Sequence, residues 1–342
     1  MKILAIHNNT GSRYYRLIPQ LKHMQKQGHK VMLSAHDDEH LMQKIEWCDI
    51  LVLQMVFSRT LTEHAKRLGK RVIFECDDLI HTVPKTHYSY DETKGWRKLQ
   101  WLYRIWRVMR LCDGFIGTTK GLANVYGRMA KSWLVFPNLL DLSHWLKEEK
   151  KNTTDTIRIL WAGSTSHTGD LNWVKPIMDE ILRKYPHVRF IYIGHGGIPT
   201  DDLYAKFIYG DDIFDGLDTS RRESMLPVPA NVWPYILPAL QADIAIAPLE
   251  RNYFNGFKSQ CKYLEYAVNG IPGVYAGWHY KDVKHGVTGL LADTKGEWIR
   301  ALSSLIENGT MRMEMGKMAR DSVIRDFNAA PYLEDWSRFV LG

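Results

Sequence analysis

"NGFKSQCKYLEYAVNGIPGVYA", residues 255–276, sets Lys258, Lys262 and Glu265 at helical spacing and then closes on Gly-Ile-Pro before an apolar run. Residues three and four apart share one helix face. The runs on either side, "DIAIAPL" (243–249) and "GVYA" (273–276), are short and continuously apolar. Such runs, separated by helices, read as parallel strands covered on both faces, not as the alternating strands of a one-sided sheet. The unit is therefore strand, loop, helix, strand. Its charges lie just past a strand's carboxyl end, where open parallel sheets bind their ligands.

The same unit recurs along the chain. "KILAI" (2–6), "KVMLS" (30–34), "DILVLQ" (49–54), "RVIFE" (71–75), "GFIGTT" (114–119) and "WLVF" (133–136) precede the polar stretch "KEEKKNTTDT" (147–156). "RILWAGS" (158–164) and "RFIYIGHGG" (189–197) follow it, before the two runs already quoted. Helical patterns intervene, such as "RLIPQLKHMQKQGHK", which Gly28 stops. The expectation is α/β throughout: two Rossmann-like, doubly wound parallel-sheet domains facing a cleft. Residues 1–150 form the first and 151–325 the second, with 326–342 a terminal helix packing back on the N-terminal domain.

The 342 residues are 45% hydrophobic and 24% charged, enough to build real cores, and the net charge of +7 favours anionic partners. Four scattered cysteines form no CxxC pair, so a reduced setting is expected and a zinc site is not. The opening "MKILAIHNNTG" is too short in apolar residues for a signal peptide, and no run approaches a membrane span. The expected location is cytoplasmic, with at most peripheral membrane contact.

Lys258 is expected in the first helical turn, where unpaired N–H groups and the helix dipole already favour an anion. Glu265, about two turns on, is placed to accept from the paired hydroxyls of a ribose. The plain alternative is a solvated Lys/Glu face worth only ~0.2–0.5 kcal/mol. In "WAGSTSHTGDL" (161–171), Gly163 and Ser164 offer donors to a phosphate or simply cap a helix, and His167 points to the cleft. Gly194 and His195 in "IGHGG" can let the backbone approach a base or ribose. In "HNNTGSRYYR" (7–16), Gly11 permits close approach, while Arg13 or Arg16 can meet acid groups. "FECDDLIH" (74–81) puts Asp77 and Asp78 past a strand end, as an acceptor-side base or as turn residues. Last, "KGWRKLQWLYRIWRVMR" (94–110) has six basic residues and no acid. An apolar face of Leu102, Trp106 and Met109 is expected opposite Arg97, Arg104 and Arg107, suited to an anionic membrane surface or a nucleic-acid backbone.

The run "PLERNYFNGFKSQCKYLEYAVNGIPGVYA…HGVTGLLA" (248–292) resembles the donor-site segment of GT-B glycosyltransferases of the large retaining family numbered four. "GSRYYRLIPQ", "FECDDLIHTVP", "WAGSTSHTGDL" and "DIAIAPL" resemble stretches of one bacterial and phage branch of it, so the likeness spans most of the chain. It implies a nucleotide-sugar donor (UDP-sugar favoured) on the C-terminal domain, the acceptor on the N-terminal one, retention of configuration, and no metal or other cofactor. The family's paired glutamates are separated by seven intervening residues; the second matches Glu265, implying a ribose contact, while the first falls on Phe257. The Arg and Lys that usually hold the diphosphate are not visible, which shifts that role to Lys258, Lys262 and the neighbouring Ser259. Two acceptor classes stay open, a glycan or lipid-linked saccharide and a hydroxymethylated base in DNA. So does a non-catalytic nucleotide-sugar or DNA-binding protein; a sugar-nucleotide epimerase of the same fold fits the 255–291 run less well.

Overall fold

The computed structural model describes every residue except 9–10, 88, 148–151 and 195–211. His195 and part of the polar stretch 147–156 lie outside the described residues. Among those described, two six-stranded sheets form, and every pairing is parallel.

The first sheet holds β1 (Lys2–His7), β2 (Lys30–Ala35), β3 (Ile50–Gln54), β4 (Arg71–Cys76), β5 (Gly114–Gly117) and β6 (Trp133–Val135), in the order β2-β1-β3-β4-β5-β6. The second holds β7 (Ile157–Ala162), β8 (Val188–Ile193), β9 (Arg222–Met225), β10 (Ile244–Ala247), β11 (Gly273–Ala276) and β12 (Leu290–Ala292), in the order β12-β11-β10-β7-β8-β9. Ten strands fall on the apolar runs. β9 and β12 are the additions, and both are short edge strands. An edge strand needs only one paired neighbour, so "RESM" and "LLA" pair without an extended apolar run to announce them.

Central strands such as β3 are buried at every position, because helices cover both faces. Each sheet consequently has two apolar cores, one per face. In each sheet the chain reverses its direction of winding once, at β1/β3 and at β7/β10. The loops leaving those strands diverge and leave a crevice between them. Gly163–His167 and Pro248–Lys258 are the loops at the second reversal.

Two apolar contacts are among those that tie the halves together. Phe254, buried to 2% exposure, and Phe257 leave the β10 loop and enter the core of the first half. The helix Leu333–Leu341 returns to that half, where Trp336 and Val340 are buried with Ile3, Ala5, Leu17 and Leu21. Arg71 donates to the Phe339 and Val340 carbonyls at 3.0 and 2.9 Å, satisfying acceptors that the helix end leaves unpaired.

The basic helix runs Trp96–Met109, but its buried face is Ile105, Val108 and Met109. Trp106, expected inside, is 41% exposed. The Ile105–Val108–Met109 stripe with half-buried Trp101 matches the core under Phe57 and Phe74, so the helix turns Trp106 outward.

Trp336 fills a fully buried site, so Trp336→Ala is expected to cost about 3–5 kcal/mol. Chemical denaturation checks this; a loss under about 1 kcal/mol would show that the terminal helix adds little to the core.

Candidate functional site

The helix expected to start near Lys258 begins later, at Cys261, and runs to Val268. Lys258 itself is extended (φ −65°, ψ 157°) and follows a single 3₁₀ turn, Asn255–Phe257. It therefore lies outside the first helical turn, because Ser259 and Gln260 also precede the helix. Lys262 and Glu265 do share the helix face, and all three residues line one cavity of about 220 Å³ between the halves.

Lys262 is held most tightly. Its Nζ donates to the Ala162 carbonyl at 2.5 Å and sits 5.3 Å from the centre of the Trp161 ring. Burial pulls the ammonium down to about 8, opposed by the Glu265 carboxylate and reinforced by Lys258. Lys258 reaches across the Phe254 ring, its Nζ 5.0 Å from the ring centre. A cation over an aromatic face is fixed without being neutralised.

Glu265 bridges the halves. One carboxylate oxygen accepts from the Tyr15 hydroxyl at 2.7 Å, the other from the Trp233 indole at 2.9 Å. Burial raises its pKa, opposed by Tyr15, Lys262 and Trp233. Since a carboxylate has about four acceptor positions, these two bonds orient Glu265 and still leave it acceptor capacity toward the cavity.

His167 lies at the end of a 3₁₀ turn that opens the helix Thr168–Lys184. Its Nδ1 meets Asp170 Oδ2 at 2.5 Å, and Asp170 Oδ1 accepts the Glu250 backbone N–H at 2.6 Å. Asp170 thereby fixes both the imidazole and the β10 loop. Burial lifts this carboxyl to about 6, opposed by the Glu250 N–H, Lys258 and Lys262. Sequence reading missed Asp170, although its spacing of three from His167 was visible.

From the first half, Asp77 and Asp78 face the same cavity. Asp77 is raised to about 6 by burial and then by Asp78, against Arg16 and the Ser12 hydroxyl. Opposite stands His279, which sequence reading also missed. Burial lowers it to about 4, opposed by the Ser259 backbone and reinforced by Lys258, so it is a neutral imidazole at pH 7. His279 follows β11, and the carboxyl-end rule that singles out the β10 loop applies equally there. Asn138 was missed as well; its Nδ2 donates to Ser259 Oγ at 2.8 Å and Cys261 Sγ at 3.1 Å.

Lys258, Ser259, Lys262, Glu265, His167, Asp77 and Asp78 are thus brought together in one place. Others are not. Arg16 is fully buried, 2.6 Å from Glu75, and bonded to the Phe136 carbonyl and to Asn138 Oδ1 (3.3 Å), so it cannot meet an acid group of a ligand. Its task is to hold Asn138. Arg13 stacks on Tyr14, 4.9 Å from the ring centre, and Gly11 packs toward Ala230; neither lines the cavity. Gly163, Ser164 and Gly194 are absent from the lining too. Gly194 has φ +97°, and a Cβ there would lie 2.0 Å from the Gly163 carbonyl oxygen. Glycine is needed at 194 so that this residue can lie against the Gly163 carbonyl, and Gly163 leaves room for Lys262 Nζ, 2.9 Å from where its Cβ would be.

Solved structures with the same architecture exist. The protein HepE of Anabaena, solved with UDP and glucose, aligns over 100% of both chains at a TM-score of 0.68 and 12% identity. Sucrose-phosphate synthase of Thermosynechococcus elongatus aligns over 99% of this chain and 98% of its own at 0.67 and 12%. A glycosyltransferase of Rickettsia africae aligns over 99% and 97% at 0.63 and 11%. The fold is GT-B. No protein-family model and no curated protein sequence matches the chain.

The raised Asp77 carboxyl has a stability consequence. Between its ordinary value of 3.8 and about 6, the folded chain holds a proton that the unfolded chain has lost, so this contribution falls as pH rises through that window. Asp77→Asn is therefore expected to melt higher than wild type at pH 7, with the gap closing near pH 4. Thermal melts across that range test it, and an Asn variant melting lower at pH 7 would contradict it.

Proposed function

We propose that the chain is a glycosyltransferase that moves a sugar from a nucleoside-diphosphate sugar to a hydroxyl acceptor. The observation that carries this reading is the cavity at the β7/β10 reversal. There two ammonium groups on one wall face two carboxylates on the other. UDP is favoured as the nucleotide; HepE and the Staphylococcus aureus proteins MnaA and TarM were each solved with it. A glycan or lipid-linked saccharide is the favoured acceptor.

Transfer builds negative charge on the leaving diphosphate, and fixed cations aimed at that charge lower the barrier. Lys258 and Lys262 supply them, with Ser259 as a neutral donor. Asp170 turns His167 toward the same space. Glu265, oriented by Tyr15 and Trp233, takes the ribose hydroxyls. On the other wall Asp77, held near 6, accepts the proton of the attacking hydroxyl. The cavity of about 220 Å³ is below the usual ~300–1,000 Å³ of ligand clefts, so the halves part to admit the donor and close around its diphosphate. The resemblance to the retaining family supports retention at the anomeric carbon.

Phe257 favours a second reading. Where the family's first glutamate would stand, its ring packs on Gly121 and on Tyr253, 5.0 Å between ring centres, and brings no carboxylate to the sugar. A nucleotide-sugar-binding protein without transfer is compatible with that exchange. Turnover of a UDP-sugar separates the two.

Thermal shift with UDP, GDP, ADP and CMP tests the donor site. One nucleotide at ~100 times its dissociation constant adds about 2.7 kcal/mol to wild type, and Lys258→Ala is expected to lose most of that gain. No shift with any of them would remove the donor site.

A second measurement reads Lys262. Its ammonium sits near 8, and a bound diphosphate favours the charged form, so binding at that pH takes up a proton and weakens as pH rises further. Calorimetry in buffers of different ionisation enthalpy is expected to show proton uptake in wild type and none in Lys262→Met. Equal uptake in both would assign the proton elsewhere.

A further inference from the structure

The helix Trp96–Met109 buries one face and leaves the opposite one bare. On that bare face Trp96 is 66% exposed, Leu99 68%, Tyr103 57% and Trp106 41%. With Arg107 and Arg110 they occupy an arc of about 100° on a 3.6-residue helix, a continuous stripe rather than scattered side chains. Isolated exposed apolar residues need no account, but a contiguous patch of them does.

The stripe is also ordered and charged. Tyr103 and Trp106 stack at 5.9 Å with 21° between their planes. The Arg107 guanidinium lies 5.4 Å over the Tyr103 ring, and that of Arg110 lies 5.1 Å over Trp106. No acidic residue occurs between 94 and 110; of the two just before it, Glu92 lines a pocket with Arg97 and Trp101, away from the stripe, and Asp91 is paired with Lys94 at 2.5 Å. The complementary surface must be anionic and must also accept indole rings and an aliphatic side chain along a flat line. A nucleic-acid duplex offers phosphates but no apolar medium for Trp96 and Leu99. The headgroup–acyl boundary of an anionic bilayer offers both, taking rings at headgroup depth, leucine below them, and arginines at the phosphates.

We infer that this face docks the protein peripherally on an anionic lipid bilayer. No helix among the described residues is long and apolar enough to cross a membrane, so attachment here is by lying on the surface. The inference stands apart from the donor chemistry, because none of these residues lines the cavity between the halves.

Co-sedimentation of the full chain with vesicles tests it. Wild type is expected to pellet with phosphatidylcholine–phosphatidylglycerol vesicles, to pellet far less with phosphatidylcholine alone, and to be released as salt rises. Trp96→Ala/Leu99→Ala should weaken binding to the anionic vesicles by roughly tenfold or more, since the apolar anchor is lost. Arg107→Gln/Arg110→Gln should erase the preference for anionic lipid while the apolar stripe remains. All four positions lie on the bare face, so UDP-induced thermal shifts should be unchanged in both variants. Wild type remaining in the supernatant with anionic vesicles overturns the inference. So does release of vesicle-bound protein by duplex DNA that both variants fail to bind, or a dimer in sedimentation velocity that Trp96→Ala/Leu99→Ala dissolves.

Discussion

A half-buried ammonium next to a strand end is the constraint from which the rest of the site follows. Lys262 gives up water for one carbonyl, one indole face and a nearby carboxylate. A buried charge is costly unless paired, so its surroundings are specified closely. Gly163 has to lack a side chain, and Gly194, with its left-handed backbone, has to lack one too where it lies against the Gly163 carbonyl. Glu265 must be near, and Tyr15 and Trp233 must hold Glu265 in turn. Part of the structure's stability is thus committed to keeping positive charge at the one reversal in the second sheet.

The two halves meet through this same arrangement. Tyr15 to Glu265, Asn138 to Ser259, and Thr86 to Glu250 at 2.9 Å are hydrogen bonds from the first half to the cation-bearing wall. Arg16 contributes from behind. Paired with Glu75 at 2.6 Å, itself raised to about 7 by burial, it holds Asn138, and Asn138 holds Ser259. Phe254 and Phe257 press into the first half's core from the same loop that carries Lys258. Closure and charge placement are therefore coupled, because one loop performs both.

Much of the fold was legible in sequence, for a physical reason. Strands covered on both faces must be apolar throughout, and ten of twelve announced themselves in that way. β9 and β12 sit at edges and carry no such demand. In the candidate site, helical spacing placed Lys262 and Glu265, and strand ends pointed to Lys258, His167 and the Asp77–Asp78 pair. Arg16 was misjudged because an arginine near a βα turn looks like a ligand-binding group until its buried partner, 59 residues away in sequence, is known. Asn138 and His279 follow β6 and β11, so the carboxyl-end rule reaches them, but the Ser259 and Lys258 groups they meet belong to another loop. Trp106 turned outward because a helix with apolar residues all round has no unique buried face in sequence, and the neighbouring core chose Ile105 and Val108.

The most direct measurement is lysine footprinting by amine acylation and mass spectrometry, with and without UDP. Lys262, near 8, is expected to be more reactive per accessible amine than an ordinary lysine, and UDP is expected to protect Lys258 and Lys262 together. Lys317, which lines a separate cavity of about 530 Å³ on the second half, should label equally in both conditions. Protection at Lys317 with none at Lys258 and Lys262 would contradict the account and move the nucleotide to the other cavity.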